Sequence, residues 1–416
     1  TNTTPTAAVR GAGRPEATQV LERAIDTFAA EVGLDPAEVR RRNFIPPEAF
    51  PYTTASGAAY DSGEYAQALQ TALEHAGYDQ LRAEQAQRRS SGSTRALGIG
   101  LSTYVEITNG VAEAEFGAVE ITADASAVVR TGSFSHGQGH ETTFAQIVAD
   151  QLGIPFEKIT VLKGDTDAVA RGTGTYGSKS VQIGGTAARQ ASELVVEKGK
   201  RLAAEELEAN PEDMQLDLER GRFHVAGAPE PGLSWGELTV RLADSDRLAE
   251  LSAEVDLEGS APSYPFGAHV AVVEVDTETG AVSLARMVTV DDAGRIINPL
   301  LWEGQVHGGV AAGIAQALFE EISYDEDGNP LNANLVSYCM PAAPELPSFE
   351  LSPMETPTPV NPLGAKGIGE AGTIGATPAV HNAVIDALSH LGVRHIEMPL
   401  GGERVWRGIQ DARSGG

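Results

Sequence analysis

Cysteine is nearly absent from this chain. Cys339 is the only one in 416 residues, which excludes an intramolecular disulfide and any iron–sulfur or zinc site built from the chain's own thiolates. Electrons exchanged here must therefore leave through a bound cofactor or another chain. Basic residues are also scarce, 30 against 58 acidic ones, and the resulting net charge of −28 disfavours binding to nucleic-acid phosphates. No apolar run approaches the length of a membrane span, and none has signal-peptide anatomy. No Walker loop, no Gly-x-Ser-x-Gly elbow and no internal repeat is found. His136 and His140 stand four apart, but Gly137 and Gly139 argue against the helix that would aim both at a metal.

What is present is a globular composition. The chain is long enough for two or three domains with real cores, and its 41% of hydrophobic residues suits burial rather than disorder. It begins at Thr1 rather than Met, as expected of a processed chain or a segment of a longer one. Val20, Leu21, Ala24, Ile25, Phe28 and Val32 recur on one face of a helix over 16–32. Asp35-Pro36 starts a second helix, with Asp as N-cap and Pro in the first turn. Residues 63–89 read as further helix, and the polar run 88–93 reads as a linker.

From about Gly98 the pattern changes to short strands, expected at 118–121, 127–130, 158–162 and 268–275. Helices are expected at 141–152, 180–208, 299–319 and 376–391. Residues 244–265 read as a surface excursion, the Pro-rich 341–362 as an extended loop, and Cys339 as a packed core residue. The predicted fold class is α+β, or mixed α/β, with a mostly helical part over 1–92 and a larger domain over 93–416.

Four segments carry more glycine and polar residues than a core requires. They are Arg10–Glu16, Gly132–Thr143, Gly172–Ser180 and Gly364–Gly375, and each opens onto a predicted helix. A helix start offers unpaired N–H groups, and glycine removes the Cβ that would hold a ligand away from the backbone. One such loop is ordinary turn chemistry; four together point to a shared anionic ligand. Glu370, set between Gly369 and Gly372, adds nothing to packing. Two readings of it stand: a charge capping the following helix, or a general base held against the ligand.

In order along the chain come Ala8-Val9-Arg10-Gly11-Ala12-Gly13-Arg14-Pro15-Glu16, Gly137-Gln138-Gly139-His140-Glu141-Thr142, Gly174-Thr175-Tyr176-Gly177-Ser178, Asn298-Pro299 with Glu303-Gly304-Gln305, and Lys366-Gly367-Ile368-Gly369-Glu370. This series resembles the xanthine oxidase family, and within it the large subunits of aerobic carbon monoxide dehydrogenase and its relatives. The resemblance spans essentially the whole chain and implies molybdopterin-binding domains carrying molybdenum, in bacteria usually as the cytosine dinucleotide. It implies that Gly137, Gln138, Gly139, His140 and Thr142 hold the pterin and its diphosphate. Thr175, Tyr176, Gly177, Ser178 and Ser180 would line the dinucleotide, and Gln305 with the backbone of Lys366, Gly367 and Gly369 would complete the grip. Gly11 and Ala12 would sit beside the cofactor, Arg10 would orient substrate, and Glu370 would be the catalytic base. No protein side chain would ligate the metal.

The same resemblance implies insertion of a water-derived oxygen into an electron-poor carbon, with electrons passed to an iron–sulfur small subunit and an FAD subunit. It also implies another chain supplying the N-terminal half of the large subunit, a dimer of such heteromers, and a cytoplasmic location. The chain departs from the family at two positions. Gly11 stands where carbon monoxide dehydrogenases carry a copper-binding cysteine, and Ala12 where xanthine oxidases stack a phenylalanine on the purine. An aldehyde or an N-heteroaromatic substrate remains. The rival readings are carbon monoxide dehydrogenase proper and a non-catalytic cofactor-binding subunit.

Overall fold

A computed structural model of the chain describes residues 5–111, 114–258 and 261–414. Along the chain run α1 (Arg14–Val32), α2 (Pro36–Asn43), β1 (Tyr52–Thr53), β2 (Ala59–Tyr60), α3 (Tyr65–Ala76), α4 (Tyr78–Ser90) and β3 (Arg95–Val105). Next come β4 (Glu115–Ile121), β5 (Ala127–Thr131), α5 (His140–Leu152), β6 (Ile159–Leu162) and α6 (Gly185–Glu206). Then follow β7 (Met214–Asp217), β8 (Arg222–Val225), β9 (Ala228–Ser234), α7 (Trp235–Asp244), β10 (Ser252–Leu257), β11 (Phe266–Asp276) and β12 (Val282–Asp292). The chain closes with α8 (Pro299–Leu318), β13 (Phe349–Met354), α9 (Ala371–Leu388) and α10 (Gly402–Ser414). The mixed helix-and-strand class read from the sequence is what the fold shows.

The main sheet has the order β13-β12-β11-β3, parallel between β12 and β13 and antiparallel elsewhere. β11 is buried from Phe266 to Val273 because both faces of this sheet are covered. Ile99, Leu101, Val270 and Val288 join Leu69 and Leu73 of α3, whereas Ala271, Val273 and Met287 join a cluster with Val306 and Val310 of α8 and Val380 of α9. A second sheet, β10-β4-β5-β6, packs on α5 and α6 around Val119, Val129, Val148 and Val195.

Helix α9 lies nearly wholly inside, against β3, β11, α8 and α1. Its sequence makes this possible, since Gly, Ala, Thr and Val dominate it and let neighbours come within backbone distance. A Cβ on Gly100 of β3 would lie 2.0 Å from the Ala379 carbonyl oxygen, and one on Gly98 would lie 2.0 Å from that of Ala383. On the other side Gly313 of α8 meets Ala376 and Thr377, where a Cβ would come within 2.8 Å.

Several expectations are corrected. Residues 88–93 are not a linker: they end α4 and turn directly into β3, because α3 and α4 pack on the main sheet. The 63–89 helix is two, broken at Gly77 with φ 67°. The excursion at 244–265 contains β10, which pairs with β4, and the loop at 341–362 contains β13, which pairs with β12. Cys339 is exposed, since the segment around it runs over the surface. Helix α9 starts at Ala371, five residues before the predicted start, which places Glu370 at its N-cap.

The apolar stripe of α1 faces outward. Val20 and Leu21 are 65% and 64% exposed, and Phe28 and Val32 are exposed beside them. The buried stripe is polar: Glu22 pairs with the buried Arg40 of α2, Gln19 meets His381 at 2.8 Å, and Arg23 donates to Asn382 at 3.0 Å. Among the described residues no helix is long and apolar enough to cross a membrane.

A glycine at an α9 contact and one facing open space predict opposite responses to alanine. Gly100→Ala is expected to lower stability by about 1–3 kcal/mol through overpacking. Gly304→Ala, in α8 with open space around its Cβ, is expected to raise it by about 0.5–1 kcal/mol. Thermal denaturation of the two variants checks the pair; an unchanged Gly100→Ala would show that the sheet and α9 are not in this contact.

Candidate functional site

The four glycine-rich loops come from distant parts of the chain and meet at one cavity of about 1020 Å³. That volume is at the upper end of small-ligand sites. Its wall includes Arg10, Ala12, Gly137, Gln138, His140, Thr175, Tyr176, Gly177, Ser178, Ser180, Gln305, Lys366, Gly367, Gly369 and Glu370, all singled out in the sequence. Thr143 lines the wall, one residue past the predicted Thr142. Gly11 and Gly139 act through the backbone. Gly139 is the N-cap of α5 at φ 74°, and a Cβ there would run into Leu301 at 2.6 Å.

The loops fit together only because of their glycines. Gly367 passes the 175–180 loop so closely that a Cβ would stand 1.7 Å from the Ser178 carbonyl oxygen. Gly137 and Gly177 adopt φ of 108° and 57°, backbone that L side chains resist. Helix α5 has no side chain capping its N-terminus, so its first-turn N–H groups are open to an anion. His140, in that first turn, stacks on Phe144, and its buried Nδ1 has no hydrogen-bond partner. Burial pushes the His140 imidazole down to about 4, so it is neutral at ordinary pH and offers a donor or an acceptor rather than a charge.

Glu370 does not cap α9 with its side chain. Its carboxylate instead accepts from the Gly11 N–H at 3.0 Å and from the Ser178 hydroxyl at 3.0 Å, with the Arg14 guanidinium 3.9 Å away. The side chain thus makes no capping hydrogen bond to α9, and the carboxylate forms part of the cavity wall. Arg10 is committed to neighbours: Nε donates to the Gly369 carbonyl, and Nη2 to the carbonyl and the side-chain oxygen of Gln305. Gly308 leaves the room this requires, since a Cβ there would be 2.9 Å from Arg10 Nη1. Arg10 thus ties the loop before α9 to α8. Lys366 turns inward, its ammonium buried 2.9 Å from Asp292, so its offering to the wall is main chain.

Sequence reading missed Glu106, which is fully buried just after β3 and accepts from the same Ser178 hydroxyl at 2.6 Å. Nothing in the run Tyr104-Val105-Glu106-Ile107 marks it, because its partners come from residues 178 and 370. Arg14 was also missed as a neighbour of Glu370; it donates to the carbonyls of Gly11 and Ile107. Asn298 caps α8 and, with Leu301 and Trp302, forms the wall facing α5. Among the described residues there is no cluster of metal-ligating side chains, and His136 and His140 do not form one.

Comparison with known proteins gives this geometry a context. Two family models described as molybdopterin cofactor-binding domains match residues 71–347 and 1–44. The chain is 39% identical to the carbon monoxide dehydrogenase large chain of Afipia carboxidovorans over 409 residues, covering 94% of this chain and 50% of that one. It is 36% identical to the nicotine 6-hydroxylase large subunit of Paenarthrobacter nicotinovorans, covering 98% of this chain and 51% of that subunit. The crystal structure of quinoline 2-oxidoreductase from Pseudomonas putida 86 superposes with a TM-score of 0.90 at 36% identity, covering 98% of this chain and 53% of that one. The chain spans about half the length of the relatives it matches.

The Lys366–Asp292 pair separates a structural lysine from a ligand-binding one. Lys366→Met leaves Asp292 buried without its cation and is expected to cost about 3–5 kcal/mol of stability, read by thermal denaturation. A variant of unchanged stability would mean that Lys366 serves the cavity instead.

Proposed function

Because the chain belongs to the xanthine oxidase family of molybdenum hydroxylases and matches the C-terminal part of their large subunit, we propose that its cavity holds molybdopterin and that Glu370 is the general base of a hydroxylation. The observation that carries this reading is the Glu370 carboxylate, turned from its own helix into the cavity wall and held by Gly11 and Ser178. A carboxylate fixed by two donors beside an anion-ready cavity is placed to take a proton from a bound reactant.

The residues present fit the cofactor. The open α5 N-terminus and the glycines at 137 and 139 suit a diphosphate, and the unpartnered His140 Nδ1 suits a polar group of a ligand. Gly137, Gln138, Gly139, His140 and Thr142 would hold the pterin side. Thr175, Tyr176, Gly177, Ser178 and Ser180 would hold the nucleotide, in the cytosine form. Gln305 and the main chain of Lys366, Gly367 and Gly369 would close the grip, with Gly11 and Ala12 alongside. When bound, the molybdenum cofactor supplies the two-electron centre at which a water-derived oxygen is inserted. The chain contributes the base, a substrate-orienting Arg10 on the same wall, and a shaped cavity. Residues 1–92 and 93–416 then correspond to parts of two cofactor-binding domains.

Aldehydes and N-heteroaromatic compounds are the proposed substrate classes, and the similarity to a nicotine 6-hydroxylase and a quinoline 2-oxidoreductase favours the second. Oxidation of carbon monoxide is the rival reading, favoured by the identity to the dehydrogenase large chain. Position 11 argues against it. Gly11 has φ 103°, and a Cβ there would stand 2.4 Å from Pro15 Cγ, so a thiol cannot be placed at this point without moving the loop. Metal analysis of the purified complex is expected to give molybdenum without matching copper; a copper content near that of molybdenum would restore carbon monoxide as the substrate.

By the family reading the electrons pass to an iron–sulfur small subunit and an FAD subunit, and the single thiol of this chain accords with clusters held elsewhere. The other half of the large-subunit fold, on this or another polypeptide, is proposed to cover the outward apolar stripe of α1. By the same family reading the whole is a cytoplasmic dimer of heteromers.

Two variants test the reading. Glu370→Gln should retain molybdenum and lose about 10²–10⁴-fold in turnover of an N-heterocycle or aldehyde with an artificial electron acceptor. Near-normal turnover would leave the chain a cofactor-binding subunit without a base. Leu21→Glu with Phe28→Glu should abolish association with the other half, read by co-purification, while this chain keeps its own unfolding transition. Intact assembly in that double variant would place the interface elsewhere.

A further inference from the structure

Glu106 is a wholly buried acid that the hydroxylation reading does not use. The Ser178 hydroxyl lies 2.6 Å from Glu106 Oε1 and 3.0 Å from Glu370 Oε2. A hydroxyl carries one hydrogen and can donate to one carboxylate at a time. With both acids ionised, one of these short contacts would bring two oxygens together with no hydrogen between them, next to two like charges in a buried site. The geometry therefore requires a further proton among the three groups.

We propose that Glu106 and Glu370 form a carboxyl pair that shares one proton through the Ser178 hydroxyl, with Glu106 acting as a positioning residue that sets the charge on the base. The proton rests on Glu106, which is enclosed, and leaves Glu370 ionised on the cavity wall. In that state Glu106 donates to Ser178 Oγ, and Ser178 donates to Glu370 Oε2. The reverse state forms when the Glu106 proton moves to Ser178 Oγ as the Ser178 hydrogen moves to Glu370; no other bond changes and no electrons are transferred. Ser178 holds this central place because the 175–180 loop bends back through it at φ 51° and is clasped by Gly367.

The surrounding charges agree with this assignment. Burial, and next the Glu370 charge, push Glu106 up to about 8. The Ser178 hydrogen bond and Arg14 oppose that rise without cancelling it. Arg10, itself pushed down by burial, feels both carboxylates, and Tyr104 faces Glu106 while bonded to Asp291. An acid raised in the folded state stabilises the fold below its ordinary range, and that stability is lost as pH rises through the folded value. Stability should thus fall as pH climbs toward and through about 8.

The role of the pair in turnover rests on Glu370 being the base; the shared proton itself does not. Infrared difference spectra of the assembled enzyme from about pH 6 to about pH 9 should show a buried carboxylic-acid carbonyl band disappearing as pH rises. Glu106→Gln, whose amide donates to Ser178 as the protonated acid does, should lack the band and show a flatter decline of thermal midpoint over the same range. The parent enzyme should show an inflection of its kcat–pH profile at about pH 8 that this variant lacks, a change that a merely structural role would not produce. Ser178→Ala, which removes the bridge, should shift the pH at which the band titrates. Absence of the band in the parent enzyme, its survival in Glu106→Gln, or an unshifted titration in Ser178→Ala would overturn the proposal. A Glu370→Gln enzyme that stays active while the parent shows the band would refute the base and leave the carboxyl pair standing.

Discussion

The structure depends on how closely other backbones approach helix α9. Gly98 and Gly100 bring β3 onto one side, Gly309 and Gly313 bring α8 onto another, and small residues of α9 itself receive them. Interiors are packed to crystal-like density, so a helix held this way has no freedom to slide or rotate. Glu370 is the residue at which that helix begins. The position of the carboxylate is thus set by van der Waals contact along eighteen residues, and only then by its own hydrogen bonds.

Around that fixed point the site is assembled from main chain. Gly11 supplies an N–H to Glu370, the 364–369 run supplies backbone that Gly367 brings against Ser178, and the 137–139 turn opens a helix start. Main-chain donors lose little conformational freedom on binding, which suits a large anionic ligand better than long flexible cations would. Of the long cations that line the site, Arg10 and Lys366 both bond to the protein itself. Arg10 stitches α8 to the α9 loop, and Lys366 neutralises Asp292 under the floor.

The inverted helix α1 shows the same logic at the surface. The inward stripe of Gln19, Glu22 and Arg23 is polar, and Arg40, His381 and Asn382 supply partners for it. Burying the apolar stripe instead would have left those partners unsatisfied, at a cost comparable to the apolar gain. The outward stripe leaves Val20, Leu21, Phe28 and Val32 exposed side by side on one helix face.

Much of this was legible in the residues themselves. Periodicity and caps located most of the helices but not α7 or α10, because 3.6-residue spacing and a residue such as Asp35 act within a few positions of the chain. Glycine density identified the loops, since φ above zero and close approach are demands on single residues. What the sequence could not contain was which stripe of α1 turns inward, that residues 252–257 and 349–354 find strands to pair with, and that Glu106 meets Glu370 across a serine. Most of the partners involved lie 60 or more residues away in the chain, as Ser178 does from Glu106 at a separation of 72 and Phe349 from Met287 across the sheet. The sequence by itself determined the family, the loops and the candidate base. Tertiary structure decided their mutual distances, and with them the electrostatics of the site, because Coulomb and hydrogen-bond energies depend on separation in space and not along the chain.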